Sequence, residues 1–303
     1  MRGCVDGCIV ESSVNGATGL FLVKGYLHPI EGYIAVPYGR GPLCFGGGGH
    51  WEGWRFIPCI SRYAFIVKIN NIIKYFDPWR VYALRSKDLP EQIRRFIEFL
   101  GPNKAGLTGS WAIGCETPEE SDVDIILYGN PVNIKKKLLY LFKKGLIKQC
   151  NIDRIISKRK ERTDIGIDEL HIAGSLTESC FNGASYTLRI ITRTAPLPCE
   201  QTQPLQWSMG RVEIRGYLTT QSYASDITVP ARYRIEPLDH SVRNTIIILE
   251  TWRTRYQSLK PGEYIIRGDA FLARNGSLTI VSPDINGCIC RTSWENGNGY
   301  ELM

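Results

Sequence analysis

Apolar and polar positions follow three different rhythms along this chain, and the changes of rhythm divide it. Up to about residue 75, short runs rich in Val, Ile, Phe and Tyr (5–11, 19–24, 33–37 and 63–69) are separated by Gly, Pro and Asn, which predicts a β-rich module. Asn15-Gly16 predicts a tight hairpin turn between the first two runs. The four glycines 46–49 before His50 read as a loop, since no strand-loop-helix context surrounds them to make a phosphate cradle.

Between about 80 and 195 helix and strand rhythms alternate. "DLPEQIRRFIEFL" predicts a helix with Asp88 as N-cap, Pro90 in the first turn and Glu91 three residues on. Ile93, Phe96, Ile97 and Leu100 share its apolar face, and Gly101-Pro102 stops it. "AGLTGS" is a short strand, and "DVDIILYG" (122–129) is a strand apolar enough to be covered on both faces. Asn130-Pro131 breaks it. "NIKKKLLYLFKKGLIK" is then a helix with Leu138, Leu139, Phe142 and Leu146 inward and its lysines outward. "ASYTLRIITR" (184–193) is the next strand.

After a proline-bearing linker, 194–207, the strands "RVEIRGYLTT", "NTIIILETW", "GEYIIRGDAFLAR" and "SLTIVS" return to a β rhythm, with a type I′ turn at Arg274-Asn275-Gly276-Ser277. Short strands around Gly-rich turns fit a small barrel, of oligonucleotide-binding type. The expected class is α+β in three parts: a β-rich module over 1–78, a mixed core over 79–195 and a β-rich module over 205–303.

The length of 303 residues and a hydrophobic content of 43% fit two or three globular domains. No apolar run approaches the ~20 residues of a membrane span, and no apolar stretch follows Arg2 as a leader would require. The expectation is a soluble cytoplasmic protein with no membrane partner. The net charge of +7 is concentrated: 135–162 holds eleven Lys and Arg against Asp153 and Glu161. Such a block is a phosphate-binding surface, with Lys143, Lys144 and Lys148 as nucleic-acid contacts, or else a solvated helix face. The ten cysteines form no CxxC pair. Cys4, Cys8, Cys288 and Cys290 would gather a zinc ion only if the termini met, in spacings unusual for zinc. Most of the thiols read as small buried hydrophobes.

The chemistry concentrates in "GSWAIGCETPEESDVDIILYG" (109–129). Asp122 and Asp124 are i and i+2 on a strand, so both carboxylates leave one face at the strand's start. Two hard oxygen ligands suit Mg²⁺ or Mn²⁺ held jointly with phosphate oxygens. Gly109-Ser110 offers an unobstructed backbone N–H, a hydroxyl and a helix start, which suit a nucleoside triphosphate. Together these are parts for in-line phosphoryl or nucleotidyl transfer on two metal ions. Repulsion within the pair is expected to raise the pKa of at least one aspartate.

In this order, Gly109-Ser110, Gly114, Thr117-Pro118 and Ser121-Asp122-Val123-Asp124 before Ile125, Ile126 and Leu127 resemble the DNA polymerase β-type nucleotidyltransferase superfamily. The chain looks most like the archaeal proteins grouped as predicted nucleotidyltransferases, in which stretches like 19–40, 186–190 and 248–268 recur in order. The resemblance implies a polymerase-β-like core of mixed sheet and helices between two β-rich modules. It also implies Gly109 and Ser110 on the phosphates of an NTP, and Asp122 and Asp124 as catalytic ligands of Mg²⁺ or Mn²⁺. The implied reaction moves NMP to a hydroxyl of RNA, protein or a small molecule. Two features depart from the pattern. "WAI" follows Gly-Ser where many members have Arg-x-Arg, and Thr187 in "YTLRI" stands where a third carboxylate bridges the metal and helps activate the hydroxyl. Asp164, Asp168, Glu169 and Glu178 precede this strand and are the candidates to reach in as the third acid, although none of them reads as part of a strand. The alternative is a nucleotide- or nucleic-acid-binding protein on the same fold that catalyses little.

Overall fold

The computed structural model describes residues 4–14, 17–38, 54–60, 62–117, 121–150, 175–201, 206–238, 246–273, 278–283 and 287–292. Glycines 46–49 with His50, the 274–277 turn, and Asp164, Asp168 and Glu169 lie outside them. So does all of the basic block beyond Cys150.

The N-terminal strands are β1 (Ile9–Val14), β2 (Ala17–Val23), β3 (Leu27–His28), β4 (Gly32–Tyr38), β5 (Trp54–Ile57), β6 (Arg62–Lys68) and β7 (Ile72–Phe76). Six of them form an antiparallel sheet in the order β5-β6-β4-β2-β1-β7. Val14 faces Ala17, the register of a hairpin around Asn15-Gly16, which themselves lie outside the described residues. Alternation splits the strands' side chains. Val10, Phe21, Val23, Tyr33, Phe65 and Val67 make one cluster, while Ile9 and Leu20 turn into the core of the mixed region.

That region runs α1 (Pro78–Arg85), α2 (Glu91–Leu100), β8 (Lys104–Leu107), α3 (Gly109–Ile113), β9 (Val123–Tyr128), α4 (Pro131–Lys143), β10 (Ile147–Lys148), β11 (Glu178–Phe181) and β12 (Ala184–Ile191). Its sheet has the order β10-β11-β12-β9-β8, with β12 and β9 parallel and the other neighbours antiparallel. Val123, Ile125 and Leu127 of β9 and Tyr186, Leu188 and Ile190 of β12 point to one side. There they meet Ile93, Phe96, Ile97 and Leu100 of α2 and Ile134, Leu138 and Leu141 of α4. Each such side chain contributes about 1.5–3 kcal/mol on burial. The α2 face is the one its periodicity predicts.

Two helix expectations are corrected. Asp88 does not cap α2. Leu89, preceding a proline, is extended (φ −67°, ψ 148°), so Asp88 is carried away from the helix start and pairs with Arg85 at 3.3 Å. Pro90 takes the cap position without a side-chain bond, and Gly101 (φ +60°) ends the helix with its N–H on Ile97 O. In α4, Asn130 caps the N–H groups of Val132 and Asn133, but the inward face differs from expectation. Lys135 is buried, whereas Phe142 and Leu146 are exposed. The helix also faces the C-terminal module, where Asp226 and the Tyr223 carbonyl both take the Lys135 ammonium at 2.6 Å.

The rest is β13 (Leu197–Pro198), β14 (Gln206–Thr220), β15 (Thr228–Val229), β16 (Ala231–Pro237), β17 (Ile246–Thr251), β18 (Gly262–Ala273), β19 (Leu278–Ser282) and β20 (Cys288–Arg291). β14, β16, β17, β19 and β18 pair in that order and β18 returns to β14, closing a five-stranded barrel. Only β17 and β19 are parallel within it. Leu218, Tyr233, Ile235, Leu249, Ile266 and Val281 fill its interior. β15, in the first barrel loop, pairs with β12 and ties the barrel to the mixed sheet.

The cysteine expectation is also corrected. Among the described residues Cys4–Cys8, Cys59–Cys199 and Cys150–Cys180 are disulfides, and Cys115, Cys288 and Cys290 are thiols; Cys44 lies outside them. Cys4 and Cys8 are thus bonded to each other, not set with Cys288 and Cys290 around zinc. Among the described residues no helix is long and apolar enough to cross a membrane.

Candidate functional site

The second face of β9 and β12 carries the polar residues. The parallel register sets Thr187 directly beside Asp124 and Tyr186 beside Val123, so Ser185 falls beside Asp122. The Ser185 hydroxyl donates to Asp122 Oδ1. On the outer side of β12, Glu178 of β11 faces Thr187. Asp124, Thr187 and Glu178 thus form one row across three strands, on one face. All three are half-buried, as is Asp122.

The turn between β8 and α3 brings Gly109-Ser110 to the same place. The Thr108 N–H donates to the Asp124 carbonyl at 3.0 Å, which fixes the turn against β9. Gly109 has φ +68°, and a Cβ built on it would lie 2.0 Å from Asp124 Oδ2. Glycine is therefore required twice, for its dihedral and because the Asp124 carboxylate rests on its Cα. Ser110 follows at the half-buried start of α3.

Further along the strands this face is closed. Residues 5–7 lie across it. Val5 packs with Ile126, Ile191 and Val229, and the Thr108 hydroxyl donates to the Gly7 carbonyl at 2.6 Å. Arg189, two residues beyond Thr187, donates to Asp6 at 2.7 Å, and Asp6 also takes the Gly25 N–H at 3.0 Å. Both members of this ion pair are buried. What stays open is the edge with Asp122, Asp124, Ser185 and Thr187.

Burial dominates the electrostatics there. It pushes the Asp124 carboxyl up from 3.8 to about 6; the nearby Arg189 guanidinium opposes this, and the charges of Asp122 and Glu178 add to it. The rise matches expectation, but repulsion from Asp122 is a smaller cause than desolvation. Among the described residues no three His, Cys, Asp or Glu side chains approach closely enough to hold a metal ion together.

Asp122, Asp124, Gly109 and Ser110 are thus brought together. Lys143, Lys144 and Lys148 are not, though all three are exposed: Lys143 and Lys144 end α4 on the helix side of the sheet, whereas Lys148 of β10, opposite Cys180 in register, shares the face of the acids but three strands from Asp122. Sequence reasoning missed Ser185 and Asp6. Strand parity signals Ser185, two residues before Thr187. Nothing local signals Asp6, whose partner lies 183 residues away.

No family model, curated protein or solved structure matches this chain.

Proposed function

We propose that the protein is a nucleotidyltransferase of the polymerase-β type, moving NMP from an NTP to a hydroxyl acceptor. The observation that carries this reading is the seating of the Asp124 carboxylate on Gly109, which unites the acid pair with the Gly-Ser turn in one half-open edge. The donor set suits Mg²⁺ or Mn²⁺: two carboxylates, all oxygen, with room for phosphate oxygens as the remaining ligands. Such an ion, when bound, neutralises charge developing on the phosphates in transfer. Asp122 and Asp124 would hold it; Gly109 N–H and Ser110 would hold and orient the triphosphate. Ser185 fixes the Asp122 rotamer through its hydrogen bond, so that the pair need not reorganise. With its pKa near 6, Asp124 is fully ionised only above neutrality, so nucleotide binding through it strengthens as pH rises from 5 to 8.

A second reading is favoured by one observation: the neighbour of Asp124 in register is Thr187, which cannot lend charge to a cation. On that reading the protein binds nucleotide on the same fold and transfers little. The barrel accords with a nucleic-acid partner in either case, because its strand order, with the third and fifth strands parallel, is that of the oligonucleotide-binding fold.

The test is transfer of radiolabelled NMP from each NTP to total RNA and to protein, with Mn²⁺, beside a thermal-shift titration. Wild type is expected to transfer, and Asp122→Asn to abolish transfer. Transfer that survives Asp122→Asn overturns the assignment. If wild type is inert while Thr187→Asp is active, the second reading stands.

A further inference from the structure

The side of α4 that turns away from the sheet carries charge of a single sign. From 130 to 150 the chain has six lysines and no acid. Lys135 is spent on Asp226, but Lys136, Lys143 and Lys144 are exposed on this side. Of the acids on the adjoining α2, Glu91 pairs with Arg95 at 2.5 Å, and Glu98 is exposed.

This surface also exposes two large rings. Tyr140 of α4 and Phe99 of α2, 52% and 42% exposed, lie almost parallel (22°) with centroids 6.1 Å apart. The Lys137 ammonium sits 5.8 Å from the Phe99 ring, and that of Lys144 5.8 Å from the Tyr140 ring. Beside this ledge is a cleft of about 350 Å³, lined by Asn103, Asn130, Asn133, Lys136 and Lys137 over Leu100 and Ile134. A merely solvated helix face has no need of two stacked, exposed rings. A duplex would use the lysines but hides its bases inside the stack. A single strand presents both phosphates and unstacked bases, the two things this surface can hold.

We propose that the outer face of α4, with Phe99, binds single-stranded nucleic acid. Phosphates run along Lys136, Lys143 and Lys144, and a base lies against the Tyr140–Phe99 ledge. The proposal is independent of the transferase reading, since this surface and the acid pair lie on opposite sides of the sheet. It adds the rings and the cleft to the basic helix that the sequence marks.

The experiment is fluorescence anisotropy of the full chain with a labelled oligouridylate of about 12 nucleotides, within the usual span of single-strand sites. A matching duplex and vesicles rich in phosphatidylserine are run in parallel. Single strand is expected to bind more tightly than duplex. Tyr140→Ala should weaken it about 5- to 150-fold, the cost of one lost base stack, while Tyr140→Phe retains it. The triple change Lys136→Gln, Lys143→Gln, Lys144→Gln should reduce the slope of log Kd against log salt by ~2. Lys87→Gln, a charge lost elsewhere on the surface, should leave affinity unchanged. Circular dichroism verifies folding, which these exposed positions do not support. Duplex binding as tight as single strand, no effect of Tyr140→Ala, or vesicle binding without oligonucleotide binding would each overturn the proposal, as would no binding at low salt.

Discussion

The two faces of β9 and β12 come from alternate residues of the same two strands, yet they are built by different physics. On the helix side, Val123, Ile125, Leu127, Tyr186, Leu188 and Ile190 are all nearly inaccessible and held by shape and dispersion. On the other side, Asp122, Asp124, Ser185, Thr187 and Arg189 stand in the same sheet, and order there depends on charge pairs and on a cover brought from residues 5–7. The apolar face tolerates no loss of volume. The polar face holds a carboxylate that burial makes costly to ionise, at an edge the cover leaves half open. Stability is concentrated on one face and chemical tension on the other, as expected where a site is built on a rigid scaffold.

The largest blow to this contrast would come from the apolar side. Phe96 packs on Phe181 and Tyr186 with ring centroids 5.0 and 4.6 Å away, and Phe96→Ala is expected to cost about 3–5 kcal/mol in urea unfolding. Next is the buried pair on the polar side. Arg189→Met would strand Asp6 with only the Gly25 N–H, a loss of about 3–5 kcal/mol by the same measurement. It should also drive the Asp124 pKa higher, because the larger of the two cations that oppose its rise is gone; the Asp124 titration followed by NMR would register this. If Arg189→Met were neutral, the polar face would not depend on that pair.

The opposite sign is expected at Asp124. Its folded pKa lies above its ordinary value, so the Asp124 contribution to stability is most favourable below about 4 and is lost as pH rises through 6. In metal-free buffer Asp124→Asn should therefore stabilise the fold by about 1–3 kcal/mol at pH 7.5, with the gain vanishing near pH 4. A destabilising Asp124→Asn at pH 7.5 would mean that the carboxylate is satisfied, and the contrast between the faces would fail. Smallest is the effect on the barrel exterior. Arg215 and Glu263 pair at 2.6 Å across β14 and β18 with the arginine exposed, and Arg215→Ala should cost under about 1 kcal/mol in thermal unfolding.

Much of this was legible in the chain. The α2 face, the break at Asn130-Pro131, Gly101 as a stop and the strand that begins at Asp122 and Asp124 follow from local periodicity and turn chemistry, because neighbours in sequence supply the contacts that decide them. The convergence of Gly109-Ser110 on the acid pair was implied by motif order. The misreadings have one local cause and two distant ones. Asp88 fails as a cap because a proline reshapes the backbone before the helix. Lys135 is buried because a loop 91 residues away brings Asp226 to it, and the cysteine pairs include one closed over 140 residues.

The sequence by itself determined which residues alternate and therefore which two sets share the faces of β9 and β12, since side-chain direction along a strand is fixed by backbone geometry. Only the tertiary structure decided what covers each face. Whether Asp124 is easy or costly to ionise, whether Arg189 is paired, and whether Thr187 or Glu178 stands next in the row across the sheet depend on strand pairing and long-range packing. Those are set by the sum of burial and charge over the whole molecule, not by any local pattern.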